Sequence, residues 1–288
     1  MTFEGRVIRP PSEAYSVLVQ ATLGCSWNKC AFCGAYMDKP YRPRDYDRVL
    51  ADLDEAAREM PGATRAFIMD GDALALPRGK FKQLLADIRE RLPEVRRIST
   101  YANAFNISKY SSEELAELNA LGLSMLYVGL ESGDEQTLAA VNKGASAAEI
   151  VAECKKAKGA GLKLNVTVLL GLGGAERSLE HARATAGALN EMAPQQAAAL
   201  TLTIIPGTAL HEAAKAGEFR LPDKHGLLAE LREMIAGLDY RGLFLADHAS
   251  NYLPLKLRLP ADKDKALAAI DAALSGKKGL KPEWLRGL

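Results

Sequence analysis

Three features of this sequence predict an α/β fold, a partial (β/α)6 TIM-like barrel with a C-terminal helical extension. Six apolar, β-branched runs recur at intervals of about thirty residues, and helical spacing of apolar positions follows each. The residues suited to chemistry fall at the carboxyl ends of those runs, where parallel β/α barrels carry their working face. After Thr208 the alternation loosens, and at most one further unit is legible.

Residues 16–21 read as the first strand and run directly into a cysteine-rich loop. Residues 45–60 carry Val49, Leu50, Leu53, Ala56 and Ala57 at helical spacing. The second strand is 65–70, and its helix over 80–92 is stopped by Pro93. The third is 95–101; Ser111 with Glu114 makes a capping-box signature at the start of its helix. Residues 123–130 are a continuous apolar run of the kind buried on both faces. Helical patterns follow over 134–141 and 147–160, with Gly161 closing the second. Leu164, Val166, Val168 and Leu170 alternate in the fifth strand, 162–170. A helix over 179–192 leads to the sixth strand, 197–205, ended by Pro206-Gly207. Beyond it, 209–217, 225–238 and 262–275 are helical, and 242–246 forms a short strand. The expected division is an N-terminal arm (1–15), the barrel (16–208) and an extension packing on it (209–288). No linker or low-complexity segment interrupts the chain, so one compact body is expected.

Composition excludes little but points one way. A hydrophobic content of 48% with 25% charged residues is that of an ordinary globular protein, long enough to bury a core without disulfides. The net charge of +1 gives no field toward nucleic acid, a membrane or an acidic partner. No apolar run reaches membrane length and no signal-peptide core is visible; with clustered cysteines, this suggests the reducing cytoplasm.

Three of the four cysteines, Cys25, Cys30 and Cys33, lie in one loop with the spacing C-x4-C-x2-C. Thiols packed this closely cannot all pair with one another as disulfides and suit a soft metal centre. Structural zinc closes with four protein ligands, and a ferredoxin-type cluster also takes four cysteines. A cubane held by three leaves one iron open to a substrate or cofactor. A non-catalytic iron–sulfur or zinc protein is the other reading of the same loop.

The loop resembles the cluster loop of the radical S-adenosylmethionine (radical SAM) superfamily, C-x3-C-x-aromatic-C. Cys30-Ala31-Phe32-Cys33 matches its second half with Phe32 as the aromatic residue, while the first gap is one residue longer. The resemblance implies a [4Fe–4S] cluster on the three cysteines and S-adenosylmethionine on the fourth iron. One-electron cleavage would give a 5′-deoxyadenosyl radical that takes a hydrogen atom from a substrate. It further implies an oxygen-sensitive enzyme supplied with electrons by a donor such as flavodoxin or ferredoxin. A small-molecule substrate is expected, with RNA or a peptide left open and no membrane partner. The core also resembles the barrel of oxygen-independent coproporphyrinogen dehydrogenases. No second cysteine cluster for an auxiliary centre is visible, and the stretch before Cys25 is too short for a cobalamin domain.

The resemblance also assigns tasks to the strand ends. Asp70-Gly71-Asp72 stands where relatives carry a Gly-Gly-Glu motif for the methionine amino group, with Asp70 in place of the first glycine. Glu131 is expected on the ribose hydroxyls, and Gly171 within Gly171-Leu172-Gly173-Gly174 where backbone approaches the cofactor closely. Asn103, with Tyr101, faces cofactor or substrate. Lys143 and Arg177 are candidates for the cofactor carboxylate. His248 and Asn251, in the polar run Asp247-His248-Ala249-Ser250-Asn251-Tyr252, are the catalytic candidates, His248 because imidazole titrates near neutrality. Cys154 reads as a small buried hydrophobe, and His181, His211 and His225 as chemically silent.

Overall fold

The computed structural model describes residues 1–287. Eight strands form one mostly parallel sheet. They are β1 (Val17–Val19), β2 (Arg65–Ile68), β3 (Arg97–Ala102), β4 (Leu123–Glu131), β5 (Lys163–Leu170), β6 (Gln196–Thr201), β7 (Gly242–Leu245) and β8 (Lys256–Leu259). The strands of the six expected βα units are β1–β6, and helices follow each of the first five at Tyr46–Glu59, Arg78–Arg91, Ser112–Ala120, Glu135–Ala140 with Ala147–Gly159, and Ser178–Met192. Local chemistry sets several helix starts. Asp45 accepts from the Arg48 amide as an N-cap, and both halves of the Ser111–Glu114 capping box are formed. After β6 come helices Ala209–Lys215, Lys224–Gly237 and Lys263–Leu274.

The C-terminal part holds the short strand expected at 242–246, here β7, and adds β8 beside it. β8 pairs antiparallel with β7, Leu257 opposite Phe244. Its side chains alternate: Leu257 and Leu259 are buried while Lys256 and Arg258 are exposed. Four residues are too few for a period of two to stand out in a sequence.

The chain divides into two compact units, each assembled from separated stretches. No composition shift along the chain can mark such a boundary. One unit comprises Met1–Asn28, Ala35–Val128 and Glu153–Leu164. In it β1, β2 and β3 run parallel, Val17 beside Ala66 and Arg65 beside Arg97. Phe67, Met69 and Tyr127 form its inner cluster, onto which Phe3 and Val7 of the N-terminal stretch pack. The rings of Phe67, Tyr101 and Tyr127 meet edge to face, Phe67 and Tyr101 at 5.1 Å. Buried Glu13 anchors the same stretch, accepting from Tyr127 Oη at 2.6 Å and pairing with Arg97 at 2.7 Å.

The other unit comprises Lys29–Gly34, Gly129–Ala152 and Asn165–Leu288. β5 and β6 are parallel with Asn165 beside Gln196, and β7 joins β6 in parallel. Val141, Leu172, Leu202 and Leu210 form a cluster at the carboxyl end of these strands. Among the described residues no helix is long and apolar enough to cross a membrane.

Candidate functional site

The loop between β1 and the helix Tyr46–Glu59 holds the three clustered cysteines, each partly exposed and none in a disulfide. Cys25 belongs to the first unit, Cys30 and Cys33 to the second. Each half is held by its own unit.

On the Cys25 side, the turn after β2 presses directly on the loop. The Gly71 amide donates to Gly24 O at 2.9 Å. A Cβ on Gly71 would stand 2.8 Å from Cys25 Cβ and 2.8 Å from Gly24 O, so only glycine admits this approach. On the other side Cys25 bridges to Pro40.

The two carboxylates flanking Gly71 are both fully buried and face different partners. Asp70 has a φ of +68°, a left-handed conformation that glycine takes freely and aspartate tolerates. Its Oδ2 pairs with Lys39 Nζ at 2.7 Å and accepts from Gln20 Nε2 at 3.0 Å. Asp72 Oδ2 accepts from Ser26 Oγ, Asn106 Nδ2 (2.5 Å) and Asn103 Nδ2 (2.9 Å). Burial raises its carboxyl group above the usual carboxylate range, against the lowering effect of these donors. Asp72 Oδ1 and Asp70 Oδ1 are buried with no hydrogen-bond partner, as is the Tyr41 hydroxyl. Burial first, and the Asp72 charge second, push the Tyr41 hydroxyl up to about 12. Asn103 also caps the short helix Ala104–Ile107, its Oδ1 taking the Asn106 amide at 2.8 Å. Asn106 passes the network outward by accepting from Lys109 Nζ at 2.6 Å.

On the Cys30 and Cys33 side, backbone bonds fix the loop at three points. Ala31 N donates to Val141 O at 2.8 Å, Leu210 N donates to Ala31 O at 2.8 Å, and Asn142 Nδ2 reaches Lys29 O at 3.1 Å. Phe32 packs against the Val141, Leu172, Leu202 and Leu210 cluster. Next to Cys33, a Cβ on Gly34 would meet Ile205 Cγ2 at 2.6 Å, a second approach that needs glycine.

The remaining strand ends of this unit carry the other expected residues. Glu131, with a φ of +62°, pairs with Lys143 at 2.9 Å, both side chains largely buried. Arg177 instead pairs with Asp134 at 2.8 Å. Gly171, at the end of β5, donates its amide to Glu230 at 2.6 Å. His248 Nδ1 is bonded to Ser250 Oγ at 2.8 Å, and burial lowers its pKa. Asn251 is buried against the end of β6, its Oδ1 accepting from Thr201 Oγ1 and its Nδ2 donating to Ala199 O, both at 2.8 Å. Cys154 is buried, and burial pushes its thiol up to about 12.

The structure thus brings Cys25, Gly71, Asp72 and Asn103 into one neighbourhood and Phe32, Cys30 and Cys33 into another. Ser26, Lys39 and Asn106 were not evident from sequence. Asn106 had one local signal, its place one helical turn beyond Asn103, whereas Lys39 meets Asp70 only through the fold.

Among the described residues, no group of three or more His, Cys, Asp or Glu side chains could hold a single metal ion. A polynuclear cluster instead takes its thiolates on different irons. The chemistry of the donor set, three thiols in one short loop, fits such a cluster. The unpaired buried oxygen of Asp72 fits a cationic amino group.

A family model described as the radical SAM superfamily matches residues 19–185, more than half of the chain. No curated protein matches the sequence. Solved structures share the fold at low identity. Methylornithine synthase (PylB) aligns with a TM-score of 0.54 and 18% identity over 78% of this chain and 65% of that one. Coproporphyrinogen III oxidase (HemN) from Escherichia coli gives 0.56 and 18% over 77% and 51%. The Elp3 protein of the archaeon Methanocaldococcus infernus gives 0.53 and 17% over 81% and 60%. This chain therefore spans between half and two thirds of the length of these proteins.

Proposed function

Because the chain belongs to the radical SAM superfamily, we propose that it uses S-adenosylmethionine and a [4Fe–4S] cluster to generate a 5′-deoxyadenosyl radical that takes hydrogen from a substrate. The observation that carries this reading is the family match across the C-x4-C-x2-C loop, pinned on the Cys25 side by Gly71 and on the Cys30–Cys33 side by Val141 and Leu210. When bound, the cluster supplies the electron that cleaves the sulfonium to methionine and the radical.

In this reading Cys25, Cys30 and Cys33 hold the cluster, and their fastened backbone limits its reorganisation. Asp72 receives the amino group of the methionine moiety through Oδ1, while Ser26, Asn103 and Asn106 hold the opposite oxygen and orient the carboxylate. Lys143 holds one oxygen of Glu131, and the other accepts from the ribose hydroxyls. Gly171 would border the cofactor with backbone, and Phe32, packed on Val141, Leu172, Leu202 and Leu210, would fix the loop between Cys30 and Cys33. His248 and Asn251 lie on the segment after β7; the bonds of Asn251 to β6 suit it to shaping the substrate space rather than moving a proton. A small-molecule substrate is expected, with RNA or a peptide open, and an electron donor of the flavodoxin or ferredoxin type.

The test is anaerobic. Protein reconstituted with iron and sulfide, reduced with dithionite and given S-adenosylmethionine should form 5′-deoxyadenosine. Alanine at Cys25, Cys30 or Cys33 should bring this to background, and Cys154→Ala should leave it intact. No nucleoside from the wild type with any of several reductants would favour a non-catalytic iron–sulfur or zinc protein.

A further inference from the structure

Helix Lys224–Gly237 buries an apolar face of Leu227, Leu228, Leu231, Met234 and Ile235, and in the middle of it stands Glu230, fully buried. A carboxyl group taken out of water without compensation is costly, and replacing it by an apolar side chain of similar volume is often neutral or stabilising. Among the described residues no Lys or Arg pairs with Glu230. What faces it is a set of donors. Oε1 accepts the Gly171 amide at 2.6 Å, and Oε2 accepts from Ser178 Oγ at 2.5 Å. His181 Nε2 lies 3.4 Å from Oε1.

The tautomer of His181 follows from its partners. Leu169 O, 3.1 Å from Nε2, can only accept, so Nε2 carries the proton. Nδ1 then accepts from Ser132 Oγ at 2.7 Å, and the same oxygen takes the Asp134 amide. The network thus joins the turn after β4, the end of β5 and the start of helix Ser178–Met192. The next charges outward are Asp134 and its partner Arg177. Two donors thus bond Glu230, Ser178 Oγ and the Gly171 amide, while His181 gives its proton to Leu169 O and stands beside the carboxyl group. The Gly171 amide belongs to the turn proposed to border the cofactor.

We propose that Glu230 is a positioning residue for that turn: from helix Lys224–Gly237 its carboxyl group fastens Gly171 at the end of β5, and S-adenosylmethionine affinity depends on this bond. The proposal rests on the radical SAM reading of Gly171. An ionised carboxylate is the stronger acceptor, and burial places Glu230 at about 7, so the fastening is tighter at pH 8 than at pH 6.

Two variants and two readouts test this. Glu230→Leu keeps the volume and removes the acceptor; Glu230→Gln keeps an acceptor and removes the charge. In protein without cluster at pH 6, where the Glu230 carboxyl group is largely protonated, amide hydrogen exchange of residues 171–174 should lose about tenfold protection in Glu230→Leu and stay near wild type in Glu230→Gln. In reconstituted protein, equilibrium dialysis with S-adenosylmethionine should show about tenfold weaker binding for Glu230→Leu. Wild type should tighten between pH 6 and pH 8 more steeply than Glu230→Gln. Unchanged protection in Glu230→Leu overturns the proposal, as does faster exchange with unchanged affinity. So does a pH profile as steep in Glu230→Gln as in wild type, a readout that survives if Glu230→Leu does not fold. Wild-type protein that binds no S-adenosylmethionine refutes the underlying reading and the proposal with it. That failure is told apart because it appears without any substitution, while the exchange result still reports on the fastening.

Discussion

A Cβ added at Gly71 would stand 2.8 Å from Cys25 Cβ, inside any real contact distance. The turn after β2 and the first cysteine of the loop are therefore one packed unit, and the glycine is part of how Cys25 is held.

Gly71→Ala forces Cys25 or its own turn to move. Overpacking of this kind costs about 1–3 kcal/mol, and the strain falls on the proposed cluster ligand. Thermal unfolding should drop by a few degrees, about 2–4 °C per kcal/mol for a chain of this size class. Iron content after anaerobic reconstitution should fall well below that of Cys154→Ala. Full iron loading in Gly71→Ala would detach the turn from the cluster.

The four thiols should not react alike. Cys154 is buried with its thiol at about 12, so almost none is thiolate near neutrality, whereas the other three are partly exposed. Titration of native protein without cluster with a thiol reagent should give three fast equivalents and a fourth only on unfolding. A fast fourth equivalent would contradict the burial of Cys154.

Asp72→Asn keeps an acceptor for Ser26, Asn103 and Asn106 but turns a donor toward the position proposed for the amino group of S-adenosylmethionine. Loss of one charge-assisted hydrogen bond, about 1.5–3 kcal/mol, corresponds to roughly 10–150-fold weaker binding. Calorimetric titration of reconstituted protein measures it. Affinity within threefold of wild type would remove Asp72 from the site.

His181 and Glu230 should make opposite contributions to stability against pH. Burial raises Glu230 from 4.5 to about 7, so the folded state holds a proton the unfolded state has lost, and stability falls as pH rises through that window. Burial lowers His181 from 6.5 to about 4, so between these values the unfolded state binds the extra proton, and stability rises with pH. Where the windows overlap, the slopes of about 1.4 kcal/mol per pH unit offset each other. Chemical denaturation from pH 4.5 to 6.5 should therefore show a rising slope in Glu230→Gln and a falling one in His181→Gln relative to wild type. Parallel curves for the three proteins would refute the offset.

Asn251→Ala removes both bonds to the end of β6 and leaves Thr201 Oγ1 and Ala199 O to find other partners. A loss of about 2–3 kcal/mol in urea unfolding is expected from two buried hydrogen bonds. Unchanged stability with lost turnover would instead make Asn251 a substrate contact.

What the sequence by itself determined were properties written in local order. The six strand–helix repeats show as hydrophobic period, helix starts as caps at Asp45 and Ser111, and the proposed cluster ligands as three cysteines in one loop. Covalent neighbours keep their spacing in any fold. The tertiary structure alone decided which positions meet across long separations. Asp70 found Lys39, Gly71 found Cys25, Gly34 found Ile205, and Glu230, unremarked in its helix, found the Gly171 amide. The physical reason is that a hydrogen bond or a backbone approach is a relation between two distant segments. Neither segment's own periodicity or propensity records its partner, and even the identity of a glycine tells only that something comes close.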